Sequence, residues 1–238
     1  MTLDVVALLR EARKAREPDP VPLAFLAEQA GAEAINVHLR ADRRHIQERD
    51  VSLLRETVKT ELNLVAAASQ EITRIALTFK PDRVTFVPER VEAQGGGDLG
   101  LDVILNSSQL RQLVRLLQEG GLRASVFIEP DLDQVKEAHR IDAQGVELST
   151  EALVSARDKE ARSKELRRLG DAARLADKFG LEVAAGRGLS LRNVAPLLDI
   201  QGLGRINVGY SLVARALVVG FESAVREMVE RVRGRASP

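Results

Sequence analysis

The 238-residue chain has no cysteine and no tryptophan, and it carries one tyrosine and six phenylalanines. Without thiols there is no disulfide, no thiolate nucleophile and no thiolate metal site, and the composition fits a reducing compartment, so the cytoplasm is the expected location. An aromatic content of 3% argues against stacking platforms for single-stranded nucleic acid. Charge of one sign is also lacking. The 35 basic and 35 acidic side chains cancel, so no global field favours nucleic acid or an anionic membrane, and anions must be held by local patches. No run of 18 uninterrupted apolar residues occurs, and Met1–Ala7 has no basic flank before a long apolar stretch. Neither membrane insertion nor export is expected.

What the chain does have is alternation. Short apolar or β-branched runs at Ala34–Val37, Leu62–Ala66, Arg83–Val87, Ala124–Ile128, Gly145–Leu148, Glu182–Ala185 and Ile206–Val208 read as seven strands. Thr2–Val6 would make eight, although Leu3–Lys14 reads equally well as one amphipathic helix. Helical spacing of apolar residues spans Val21–Ala30, Val51–Lys59, Gln70–Phe79, Ser108–Glu119, Leu132–His139, Lys164–Phe179, Leu191–Leu198 and Ser211–Arg231. Gly31, Gly120 and Gly180 stand where helices should end, and Asp50, Ser69, Asp131 and Ser190 where side-chain oxygens cap exposed N–H groups. A doubly wound open sheet shows the same local pattern, but the length suits an eight-unit α/β barrel, typically ~250 residues. The expectation is therefore a single (β/α)8 TIM-barrel domain over residues 1–238, with the glycine-dense segment Gln94–Gly100 among its active-site loops.

The richest chemistry follows the second strand. Between His38 and Arg49 lie two histidines, His38 and His45, and four arginines, Arg40, Arg43, Arg44 and Arg49. Arginine offers a planar fork of donors that suits phosphate oxygens, and a histidine at a strand end can exchange protons near neutral pH. The competing reading is a solvated loop neutralised by Asp42, Glu48 and Asp50. Two later segments, Ala185-Gly-Arg-Gly-Leu-Ser190 and Val208-Gly-Tyr-Ser211, lead from strands into helices, where backbone N–H groups can meet an anion. Their glycines equally suit tight turns. Glu89 and Glu147 are the carboxylates best placed for proton transfer, or else partners for a mouth arginine, and His139 reads as a surface histidine. The three histidines lack metal-ligand spacing, so no metal is expected.

These residues resemble the pyridoxine 5'-phosphate synthase family over nearly the whole chain. The resemblance rests on Pro18-Asp-Pro20 with Phe25-Leu-Ala-Glu-Gln-Ala-Gly31, on Val37-His-Leu-Arg-Ala-Asp-Arg-Arg-His-Ile46, on Glu61-Leu-Asn-Leu64, and on Ile206-Asn-Val-Gly209. The resemblance implies a barrel that joins 1-deoxy-D-xylulose 5-phosphate to 3-amino-2-oxopropyl phosphate, releasing phosphate and water. It implies no cofactor, small phosphorylated metabolites as partners, and a homo-oligomer. Matched residue by residue, His38 takes the place of the family's catalytic base, Arg40 and His45 hold one phosphosugar, and Arg13 contacts the aminoketone phosphate. Asp4 keeps an aspartate of the family motif, and Gly188 and Gly209 keep backbone positions around the second phosphate.

The chain departs from the family pattern at several positions, among them Ser149 for a histidine after Glu147 and Gly95–Gly100 for a Thr-Thr-Glu-Gly-Gly loop. Thr2 and Val5 stand for an asparagine and a histidine, Val65 for a catalytic glutamate, Arg187 for a general-acid histidine and Tyr210 for a further histidine. Valine moves no proton and arginine stays charged at ordinary pH. Each lost acid–base group typically costs ~10²–10⁴ in rate. The departures lead one to expect a family activity lost or strongly weakened. The alternatives are a non-catalytic phosphometabolite-binding or regulatory protein, and a different enzyme on the same scaffold using Arg187 and Tyr210.

Overall fold

The computed structural model describes residues 1–88 and 100–234. Glu89 and residues 94–99 of the glycine-dense loop lie outside the described residues. Seven strands form one parallel sheet in chain order: β1 (Ala34–His38), β2 (Glu61–Ala67), β3 (Arg83–Val87), β4 (Arg123–Ile128), β5 (Gly145–Ser149), β6 (Glu182–Gly186) and β7 (Arg205–Asn207). The intervening helices are α1 (Asp4–Arg13), α2 (Pro20–Gln29), α3 (Glu48–Thr57), α4 (Gln70–Phe79), α5 (Ser107–Glu119), α6 (Leu132–Arg140), α7 (Glu151–Ser155), α8 (Lys159–Lys178), α9 (Tyr210–Val219) and α10 (Phe221–Arg233).

The expected strand at Thr2–Val6 is corrected. Only Thr2 makes a bridge, to Asn36, and α1 begins at Asp4. The reason is periodicity: Val6, Ala7 and Arg10 share one buried face of a helix, a spacing no strand can serve. The segment before α1 nevertheless fills the eighth place. Thr2 N–H donates to Val208 O at 2.8 Å, Leu3 N–H to Asn36 O at 3.1 Å, and Asn36 N–H to Met1 O at 2.8 Å. These bonds join β1 to the segment after β7 and close the barrel.

Three other expectations are corrected on local grounds. Ser211–Arg231 is two helices, α9 and α10, because Gly220 adopts φ +86° between them. Leu191–Leu198 is a short 3-10 helix over Ala195–Asp199, since Pro196 has no N–H to donate. Asp50 lies inside α3, where its carboxylate accepts the Gln47 N–H at 2.9 Å. Ser69 and Asp131 do cap α4 and α6.

Strand alternation sorts side chains into two environments. Ile35, Val37, Leu62, Leu64, Val84, Phe86, Val126, Ile128, Val146 and Leu148 are buried in the hydrophobic core, each contributing ~1.5–3 kcal/mol by leaving water. Their neighbours along the strands face the barrel axis, and many of them are polar. Asn36, Asn63, Thr85, Ser125, Glu147 and Asn207 line the axis, where barrels usually carry branched aliphatics.

At the N-terminal strand ends the axis closes in an ionic floor. Arg83 Nε donates to Glu61 Oε1 at 3.1 Å, Nη1 to Ser125 Oγ at 2.6 Å and Nη2 to Glu182 Oε2 at 2.6 Å. Arg123 and Arg205 reach the same two glutamates. A cavity of about 440 Å³ lies above and beside this floor.

Candidate active site

At the opposite, C-terminal end of the strands is a cavity of about 310 Å³. His38 at the end of β1, Val65 on β2, Phe127 on β4, Glu147 on β5 and Arg187 just after β6 line it, together with Asp4 from the start of α1. Asn36, Glu147 and Asn207 line both this cavity and the one above the floor.

Asp4 is placed by α1, and its Oδ1 accepts the backbone N–H of His38 at 2.7 Å. Its carboxyl is enclosed, on the wall of the cavity. Burial therefore dominates, and although the His38 N–H and the Arg187 charge oppose it, the carboxyl is pushed up to about 6. Glu147 is raised for the same first reason, burial, against the charge of Arg187 and a hydrogen bond with Asn207. Gly186 makes room for it: a Cβ at 186 would stand 2.4 Å from Glu147 Oε1. The mouth thus holds two carboxyl groups biased toward their protonated forms beside a histidine.

The His38 and His45 rings meet edge to face with centroids 5.9 Å apart. His45 Nδ1 accepts the Ile46 N–H at 2.9 Å, which leaves the proton of the neutral ring on Nε2. Burial first, then the Arg40 charge, lower its pKa to about 4, so the ring is neutral at physiological pH. Arg40 forms a two-point pair with Asp42 at 3.0 and 2.9 Å, and Arg44 Nε donates to the same carboxylate at 2.9 Å. Arg43 pairs with Glu48 and Glu71. The cationic loop is therefore neutralised in large part by its own acids, while Arg40 keeps a guanidinium edge turned from Asp42.

Of the residues singled out from sequence, Thr2, Asp4, Val5, His38, Val65, Arg187, Gly188, Gly209 and Tyr210 line the mouth cavity, as does Glu147. Arg40 and His45 are not part of that lining, although the His45 ring meets that of His38. Arg13 is exposed on the last turn of α1. One turn earlier, Arg10 is buried and grips Asp50 with two hydrogen bonds at 2.8 and 2.7 Å, while its Nη2 reaches His45 O at 3.2 Å. Arg10 is thus what fixes the histidine loop to α1. His139 stacks on Phe179 at 4.6 Å on α6, a packing role.

Sequence reading missed Arg10, Phe127, Asn36 and Asn207. A signal existed for the last two: they are polar residues at alternate positions within otherwise apolar strands, which is where a barrel interior is built.

The family model of the pyridoxal phosphate biosynthesis protein PdxJ matches residues 1–234. The pyridoxine 5'-phosphate synthase of Syntrophotalea carbinolica is 49% identical over 235 residues, covering 98% of both chains. That of Pelobacter propionicus is 46% identical, covering 98% of this chain and 97% of the other. Among solved structures, the Streptococcus mutans protein described as KGPDC superposes with a TM-score of 0.63 at 11% identity, covering 90% of this chain and 92% of the other. N-(5'-phosphoribosyl)anthranilate isomerase from Pyrococcus furiosus gives 0.61 at 16% identity, with 90% and 94% covered. These structural likenesses bear on the fold.

The expectation of a lost or strongly weakened family activity is corrected, and with it the alternatives of a non-catalytic binder and a different enzyme. Relatives that bear the synthase name align end to end at nearly half identity. The physical reason lies in the mouth. Val65 and Arg187 share their cavity with Asp4, His38 and Glu147, so the aliphatic and the guanidinium do not leave the centre without proton-bearing groups.

Proposed function

The chain belongs to the PdxJ family of pyridoxal phosphate biosynthesis proteins, and from that premise we propose that it is a pyridoxine 5'-phosphate synthase. It joins 1-deoxy-D-xylulose 5-phosphate to 3-amino-2-oxopropyl phosphate with release of phosphate and water. The observation that carries this reading is the presence of two carboxyls with raised pKa, Asp4 and Glu147, in one cavity with His38. Ring closure needs a sequence of proton transfers, and groups poised near the working pH perform them best.

In this reading His38 is the base at the strand end, half-exposed to the mouth. Glu147, enclosed in the barrel and biased toward its acid form, donates to a leaving oxygen. Asp4, with Oδ1 committed to the His38 N–H, exchanges protons through Oδ2. Valine at 65 gives that side of the cavity an apolar wall, which strengthens the electrostatics of the carboxyls facing it. Arg40, His45 and Arg13 receive phosphosubstrates at the rim, and Gly188 and Gly209 present backbone N–H groups.

Purified protein given both substrates is expected to release phosphate and form the pyridine ring at an enzymatic rate, and a Glu147→Gln variant to lose that rate. Absence of ring formation from the wild-type chain sinks the reading.

Two further properties go with it. The chain assembles with copies of itself, a reading supported by Leu217 and Val218 on α9 and by Leu8 and Leu9 on α1, all exposed on helices that pack together. Light scattering on the eluting protein tests this, a monomer mass being the contrary result. The cysteine-free composition supports a cytoplasmic location.

A further inference from the structure

Arg187 is held in a way that an ordinary surface arginine is not. Its φ is +86°, in the left-handed region that side chains rarely adopt. The surrounding backbone enforces that conformation. Thr150, fully buried, donates its N–H to Gly186 O at 2.9 Å, and its hydroxyl lies against the carbonyl oxygens of both Gly186 and Arg187. The next residue, Gly188, also has a positive φ, +69°, so the turn after β6 runs through two successive left-handed positions.

The side chain is fixed as well. Its Cζ lies 4.7 Å from the centroid of the Phe127 ring, and Phe127 is itself buried on β4. A guanidinium over an aromatic face keeps its charge and its in-plane donors while losing rotational freedom. Around it the cavity wall is completed by Gly188 and Leu189, and by Gly209, Tyr210 and Ser211 at the start of α9. Ser211 Oγ donates to Leu189 O at 2.6 Å, which ties the two backbone segments together. Strained backbone conformations that persist under such over-determination belong to sites where the geometry is used.

We propose that Arg187, pinned by Phe127, is the residue that grips a phosphate group of the substrates in the mouth cavity, with Phe127 as its positioning residue. Arg187 contributes a charge that no pH within the working range removes, and a planar fork that matches two phosphate oxygens. Gly188, Gly209, Tyr210 and Ser211 border the same space, and the start of α9 adds positive potential there. Phe127 acts through the guanidinium, from its own place in the cavity wall. It fixes the guanidinium plane, so its loss shows in binding more than in turnover.

The identity of the phosphate-bearing ligand rests on the synthase reading, whereas phosphate binding itself does not. The test is therefore run in two arms on the full chain. In the first, inorganic phosphate is titrated by calorimetry onto wild type, Arg187→Gly, Arg187→Lys and Phe127→Leu. Glycine suits a φ of +86°, so Arg187→Gly is expected to fold at least as stably, and a thermal melt checks that. The expected result is phosphate binding weakened at least tenfold in Arg187→Gly, partly restored in Arg187→Lys, and weakened about threefold in Phe127→Leu. In the second arm, KM and kcat are measured for phosphate release. KM is expected to rise tenfold or more in Arg187→Gly, and in Phe127→Leu to rise by a larger factor than kcat falls. Phosphate affinity within twofold of wild type in Arg187→Gly overturns the proposal, as does a kcat loss with KM unchanged. A wild-type chain that binds phosphate through Arg187 but turns nothing over would overturn the synthase reading and leave this one standing.

Discussion

The two ends of the barrel use the same residue types to opposite effect. At the floor, Glu61 is also pushed up by burial, but the hydrogen bond from Arg205 and the charges of Arg83, Arg205 and Arg123 outweigh that and bring it to about 2. At the mouth, one guanidinium faces Asp4 and Glu147, burial wins, and both carboxyls are raised. An acid matched by several cations is fixed in its charged form and serves structure. An acid enclosed with too little compensation remains able to gain and lose a proton, which is what catalysis requires.

The comparison is broken most directly by neutralising one acid at each end. Glu147→Gln is expected to lower kcat by ~10²–10⁴ while leaving urea-measured stability within ~1 kcal/mol, since the amide removes a charge the site holds poorly. A variant that retains wild-type turnover would place the proton transfers elsewhere.

At the floor the effects invert. Arg83→Met is expected to cost ~3 kcal/mol in urea unfolding, because two glutamates then lose their most buried partner. Turnover per folded molecule should stay within a few fold. A large loss of kcat with unchanged stability would erase the distinction between the two ends.

Next in size is Gly186→Ala, which inserts a methyl against the Glu147 carboxylate. Overpacking of this kind typically costs ~1–3 kcal/mol, and here activity should fall together with stability.

The smallest effect is a pH dependence of opposite sign at the two ends. Asp4 has a folded pKa above its ordinary value of 3.8, at about 6. Its contribution is present below pH 3.8 and lost as pH rises through 6. Glu61 has a folded pKa below 4.5, at about 2. Its contribution is present above pH 4.5 and lost as pH falls through 2. Asp4→Asn should therefore gain stability on wild type above about pH 6, on the order of 1 kcal/mol, and gain nothing below about pH 4. Thermal melts across this range measure the effect, and a gain that is equal at both extremes would contradict it.

Most of the sheet could be read before any coordinates, because β-branched runs such as Arg83–Val87 have one stable conformation and clear ends. The first unit could not. Three residues, Met1–Leu3, do a strand's work through hydrogen bonds to both neighbours, and a segment so short has no periodicity of its own. Arg10 and Arg13 show a second limit. They lie one turn apart on α1, and which one turns inward depends on Asp50, forty residues on from Arg10. The resemblance to a family made His38 and its neighbours legible, but it drew attention to what had been replaced at 65 and 187. What the pattern hid was the company those two positions keep, since Asp4 and Glu147 reach the cavity from a different helix and a different strand.

The absence of a side chain at position 186 ties the history of two sites together. With 2.4 Å between a would-be methyl and the Glu147 oxygen, a larger residue at 186 becomes acceptable only if the acid at 147 is shortened first. Gly186→Ala in a Glu147→Asp background should be milder than in the parent chain. Across any set of descendants of this protein, the two positions are expected to change as a pair, in that order, or not at all.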